Sequence, residues 1–164
     1  MNVALDLFGP EYADAKVETI GTFVCHSSDK HVDISYTNGG MNLSILPVGG
    51  YAIRYVSGSF LLMGQTPTVF AVGGNNGMKV QWRNDISADW AEANFTLYDE
   101  TIEQPEVASD ATNINNLFYL EFTRPHRMRL VPPRGSAGDV KVRVIRYVPK
   151  FTMDMQTNQT IVNQ

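Results

Sequence analysis

The chain has 164 residues, of which 43% are apolar and 18% charged. That length suits one domain able to bury about two-thirds of its unfolded surface, and the single cysteine, Cys25, excludes an internal disulfide or a multi-cysteine zinc site. The net charge is −4, no apolar run approaches the ~20 residues of a membrane-crossing helix, and Met1-Asn2-Val3-Ala4-Leu5-Asp6 lacks the basic start of a signal peptide, so none is expected.

Residues 1–16 have no alternation and read as an N-terminal arm. A strand is predicted near Glu18–Cys25. Val32, Ile34 and Tyr36 then alternate with His31, Asp33 and Ser35, and Met41, Leu43 and Ile45 alternate with Asn42 and Ser44 across the turn Thr37-Asn38-Gly39-Gly40. After Pro47-Val48-Gly49-Gly50, strands are predicted at Tyr51–Val56 and Phe60–Met63, separated by a turn at Ser57-Gly58-Ser59. Another is predicted at Thr68–Val72, before the turn Gly73–Gly77. Met78, Val80 and Trp82 alternate with Lys79, Gln81 and Arg83. Asp85–Ala93 has the cap and alanines for one helical turn, and a strand is predicted at Asn94–Tyr98. Asp99–Asn113 is a long acidic loop. Leu117–Thr123 and Arg127–Val131 are strands ahead of the turn Pro132–Gly135. Val140, Val142 and Val144 alternate cleanly, but Val144-Ile145-Arg146-Tyr147 breaks the pattern and predicts a bulge. Residues 151–164 read as a C-terminal arm.

Ten or eleven short strands with frequent turns predict an all-β protein, an antiparallel β-sandwich of jelly-roll or Greek-key type. The expected layout is an N-terminal arm (1–16), a β-sandwich domain (17–150) and a C-terminal arm (151–164).

Catalytic signatures are missing: no His-Glu-x-x-His, nucleophile elbow, phosphate loop or Cys-x-x-Cys. Cys25 and His26 are neighbours, so in a strand they face opposite ways, and Cys25 reads as a small core residue. His26, His31 and His126 are scattered. The acids of the 99–113 loop read as a solvated segment rather than a glycosidase pair or a calcium site. Trp82 shares the inward parity of Met78 and Val80. Trp90 and Tyr98 are the candidates for stacking on a sugar. No catalytic residue, cofactor or metal is expected.

Charge is unevenly distributed. Residues 1–110 carry 14 acids and 5 bases, and residues 111–164 carry 3 acids and 8 bases. The bases lie inside strand-like sequence rather than in a run, and Glu121 interrupts them. This favours an acidic protein partner, or a second copy of the chain, over nucleic acid. Candidate partner-binding residues are Arg127, Arg129, Arg134, Lys141 and Arg143. Phe151, Met153 and Met155 join them, sharing one face of a tail that could add as a strand to a neighbour.

The stretch Val80-Gln81-Trp82-Arg83-Asn84-Asp85 with Asp89-Trp90, followed by Arg127-Met128-Arg129-Leu130-Val131 and Gly138-Asp139-Val140-Lys141-Val142-Arg143-Val144, resembles small β-sandwich virion proteins of tailed bacteriophages. Arg83 stands where that pattern often has Ser, and no Gly follows Asp85. The resemblance implies a non-enzymatic capsid decoration or cement protein that binds and stabilises the phage head. It would sit on the capsid surface of the virion, and in the host cytoplasm during assembly. The implied partners are the major capsid protein or another virion protein and further copies in a homo-oligomer such as a trimer, with no nucleic acid and no membrane. The alternative is a carbohydrate-binding or accessory module of a phage tail, fibre or head–tail junction.

Overall fold

A computed structural model describes residues 3–62, 78–84, 86–95, 111–114 and 117–150. Among these, the chain runs through helix α1 (Val3–Phe8), a 3₁₀ turn (Pro10–Tyr12) and the strands β1 (Lys16–His26), β2 (Val32–Asp33), β3 (Tyr36–Asn38), β4 (Met41–Leu43) and β5 (Gly49–Leu62). It continues through β6 (Lys79–Asn84), β7 (Ala91–Asn94), β8 (Ala111–Ile114), β9 (Leu117–Phe122), β10 (His126–Val131) and β11 (Ser136–Val148). The protein is all-β, and every strand pairing among the described residues is antiparallel. The larger sheet has the order β1-β11-β5-β9-β8, the smaller β2-β10-β6-β7, and β3-β4 form a hairpin of their own.

One hydrophobic core joins the two sheets. Val140, Val142, Val144, Ile53, Phe118 and Leu120 come from the larger sheet; Val80, Trp82, Met128 and Leu130 come from the smaller. Phe118 makes the junction, with its ring 6.2 Å from that of Trp82 and stacked 6.1 Å from that of Phe95. Period-two alternation puts these side chains on the inner faces. Trp82 and Cys25 are buried, as their parity requires.

Five expectations change. Residues 3–15 are not an extended arm. Helix α1 and the 3₁₀ turn lie on the outer face of the larger sheet, where the Phe8 ring meets Tyr119, Tyr147 and Tyr12. Tyr12 is fully buried and its hydroxyl donates to Glu121 Oε2 at 3.0 Å. The outward positions of β5, β9 and β11 here are Gly50, Tyr119 and Tyr147, apolar enough to need cover. Gly50 leaves the space for it, since a Cβ there would run into the Phe8 ring.

The turn expected at Ser57-Gly58-Ser59 lies within a single 14-residue strand, β5. Val142 pairs with Tyr55 and Lys141 with Ser57, so Val56 is an extra, bulged residue. Gly58 has φ +103, and a Cβ there would overlap the Asp139 carbonyl. Glycine therefore marks a close approach of two strands, not a chain reversal.

The bulge predicted on β11 lies instead on β1, where Ile20 is extra between Thr19 and Gly21. Along β11 the alternation continues unbroken through Val140, Val142, Val144 and Arg146, all buried. Arg146 occupies an inward position because it has partners there: Nη1 donates to Glu18 Oε1 at 2.7 Å, and Nη2 and Nε donate to the Val48 carbonyl at 2.6 and 3.1 Å.

The helical turn expected at 85–93 is absent from its described part. Asn84 Oδ1 accepts from the backbone N–H groups of Ile86 and Ser87, at 2.9 and 2.8 Å. This is a side-chain alternative to helical hydrogen bonding. Ala91–Asn94 then pairs with β6 as an edge strand. In the segment expected as a loop at 99–113, Ala111 to Asn113 belong to β8. The strand expected at Thr68–Val72, residues 99–110 and the C-terminal arm lie outside the described residues.

Candidate functional site

Arg127 and Arg129 project from the outer face of the smaller sheet, because Met128 and Leu130 take the inward positions of β10. Strand register sets their neighbours. Asp33, Arg129, Gln81 and Glu92 form one row across the four strands, and Arg127 lies opposite Arg83 in the next. The first row is a chain of directed hydrogen bonds. Arg129 Nε donates to Gln81 Oε1 at 2.7 Å, and Gln81 Nε2 donates to Glu92 Oε1 at 2.9 Å. Lys79 Nζ donates to the other carboxylate oxygen of Glu92, also at 2.9 Å. These two donors hold the Glu92 carboxyl below its ordinary range, Lys79 most strongly.

Trp90 completes this face. The guanidinium of Arg129 lies 3.8 Å from the centre of its ring, and that of Arg83 lies 5.2 Å away. Arg83 Nη1 also donates to the Ser87 carbonyl at 3.1 Å, which ties the 86–90 loop to the sheet. Cation–π attraction and the Gln81 bond together fix the orientation of Arg129. Arg127 is held less firmly, by one bond from Nη1 to Ser44 Oγ at 3.0 Å.

Beside Arg129 opens a cleft of about 330 Å³. One wall is the loop after β1, with Ser27, Asp29, Lys30 and His31. The other is the turn after β10, with Pro132, Pro133 and Arg134. Gln81, Arg129 and Val131 form the floor. Local chemistry shapes both walls. Asp29 Oδ2 accepts from the His26 backbone N–H at 2.8 Å, and the Asp29 N–H donates back to the His26 carbonyl at 2.9 Å. On the other side the two prolines are buried, and Ser136 Oγ donates to the Pro133 carbonyl at 2.7 Å.

The cleft has Lys30, Arg129 and Arg134 against one carboxylate, Asp29. His31 Nε2 is 3.5 Å from Asp33 Oδ1. Such a cleft attracts anions, and its arginines present forks suited to carboxylate or phosphate. Cys25 offers no nucleophile, because burial first and the Asp29 charge second push its thiol up to about 12. Among the described residues, no three His, Cys, Asp or Glu side chains gather closely enough to hold a metal.

The candidate residues therefore separate. Arg127, Arg129 and Arg134 lie on or beside the outer face of the smaller sheet. Lys141 and Arg143 are exposed on the outer face of the larger one, since Val140, Val142 and Val144 face the core. Phe151, Met153 and Met155 are outside the described residues. Lys30, Gln81 and Arg83 were not expected to join this surface. Their one trace in the sequence is the outward parity of Gln81 and Arg83 in β6. Comparison with known protein families, curated proteins and solved structures finds no match for this chain.

Proposed function

We propose that the chain is a non-enzymatic structural protein of a virus particle, a jelly-roll subunit that packs into or onto the capsid. The observation that carries this reading is the nesting of strand pairs: β1 with β11, β2 with β10, β5 with β9, and β6 with β7. A long hairpin rolled into two facing sheets pairs its strands in this first-with-last order, which is the jelly-roll arrangement of viral capsid and lectin domains. Decoration of a phage head, the role the resemblance implies, is the narrower form of the same proposal. The carbohydrate-binding alternative needs an open aromatic platform, and the best-placed one, Trp90, has the Arg129 guanidinium over its ring.

The test is location. An antibody against this chain should label purified particles at the capsid, and a particle reconstruction should hold density for it there. Label confined to a tail would transfer the protein to an accessory module. Particles without the chain would overturn the reading.

A further inference from the structure

We infer that the basic cleft receives a carboxylate-rich segment of a second copy of this chain, the acidic run at residues 99–110. The inference deepens the structural-subunit reading by naming the contact through which copies join.

Arg129 is the fixed anchor of the cleft. Its Nε is taken by Gln81 and its plane lies over Trp90, while its Nη groups make no hydrogen bond among the described residues. A guanidinium held this way presents its remaining donors with little ordering cost. Lys30 and Arg134 stand exposed at the mouth without an ion pair among the described residues. The volume, about 330 Å³, is at the low end of small-ligand clefts, which run from about 300 to 1,000 Å³. It suits one or two acid side chains.

The occupant follows from charge. Residues 99–110 contain Asp99, Glu100, Glu103, Glu106 and Asp110 and no base, the highest concentration of negative charge in the chain. The run joins β7 to β8, each an outermost strand of its sheet. The cleft opens at the other margin of the smaller sheet, between the loop leading into β2 and the turn leaving β10. The strands that flank the run are at one margin and the cleft is at the opposite one, so a contact between run and cleft is head-to-tail, the kind that builds rings and lattices from identical subunits. Complementary charge at such a contact sets register and partner choice.

A charge swap tests this on the full chain, with association followed by sedimentation velocity over a range of salt. Lys30→Glu with Arg134→Glu should weaken self-association at least tenfold, and so should Glu100→Lys with Glu103→Lys. Mixing the two variants should restore it. A synthetic peptide of residues 99–110 should compete with the parent contact. Lys30 and Arg134 are exposed, and thermal melts by circular dichroism identify any variant that fails to fold. In that case Lys30→Gln and Arg134→Gln replace the reversals.

Several results would overturn the inference. These are a parent that stays monomeric, reversals that leave association unchanged, a mixture that fails to recover, and a monomer that recovers only when all four reversals share one chain. The last would place the acidic run in its own cleft. Competition by a single-stranded oligonucleotide but not by the peptide would assign the cleft to nucleic acid instead. Labelled particles with an indifferent charge swap defeat only this inference. Unlabelled particles with a successful swap defeat only the capsid reading.

Discussion

The outer face of the larger sheet is roofed at one end by Phe8 and Tyr12, whereas the outer face of the smaller sheet carries Arg83, Arg127 and Arg129. Both faces belong to antiparallel strands over one shared core, so backbone architecture does not distinguish them. The residues at outward positions do. Tyr119, Tyr147, Gly50 and Ala52 form an apolar floor, and the N-terminal segment removes it from water. Arginine and glutamine satisfy one another at the surface and need no cover. The same contrast holds for single cations. Arg146 faces inward and is only 6% exposed, with a carboxylate and a carbonyl as partners. Arg129 faces outward, and its partners leave part of its fork unused.

Removing the roof should have the largest effect. Tyr12→Ala deletes a fully buried aromatic ring, and should lower unfolding free energy by about 3–4 kcal/mol in denaturant melts. An unchanged midpoint would show that the roof and the sheet are independent. Arg146→Met tests the inward cation. It leaves the Val48 carbonyl without its donors and Glu18 without its ion pair, and should cost about 3 kcal/mol. Recovery in Arg146→Met combined with Glu18→Gln would locate the loss in the uncompensated carboxylate. Gly50→Ala puts a methyl group into the Phe8 ring, and should cost about 1–3 kcal/mol. Combining it with Phe8→Ala should recover part of the overlap cost.

The open face should respond least. Lys79 and Glu92 form an ion pair at 2.9 Å with side chains 29% and 46% exposed, so Lys79→Met should cost less than about 1 kcal/mol. The pH dependence has a definite sign. The Glu92 carboxyl is lowered in the folded protein, so its contribution is complete above the ordinary glutamate value of about 4.3. It is lost as pH falls through the lower folded value. Parent and Lys79→Met melts should therefore converge in acid.

Alternation in the sequence located β6, and β11 as far as Val144, as strands whose faces differ. It failed where one residue stood for more than one geometry. Gly58 resembles a turn residue, yet it lets β5 and β11 approach closely. Arg146 resembles a break, yet it continues the inward row because Glu18 and the Val48 carbonyl, both distant in sequence, receive it. The N-terminal segment lacks alternation because it is helical, and the floor it covers is assembled from three separate strands. The cleft was least legible. Arg129 and Arg134 stood out as bases, but Lys30 and Gln81 reach them only through the pairing of β2 and β6 with β10. No local pattern encodes that meeting.

Strand β11 lies between β1 and β5, so the last described strand is an interior strand of the larger sheet. Its pairing with β1 joins residues from opposite ends of the chain, as in Lys16 with Val148. During synthesis β1 cannot join β5, β9 and β8 in one sheet until residues 136–148 have left the ribosome. Before then β1 and β5 each have an edge waiting for the same strand. Long-range pairing of this kind slows folding and leaves unpaired edges open to other chains. The order of synthesis thus delays closure of the subunit until nearly all of the described chain is made, and exposes newly made chains to one another while they wait.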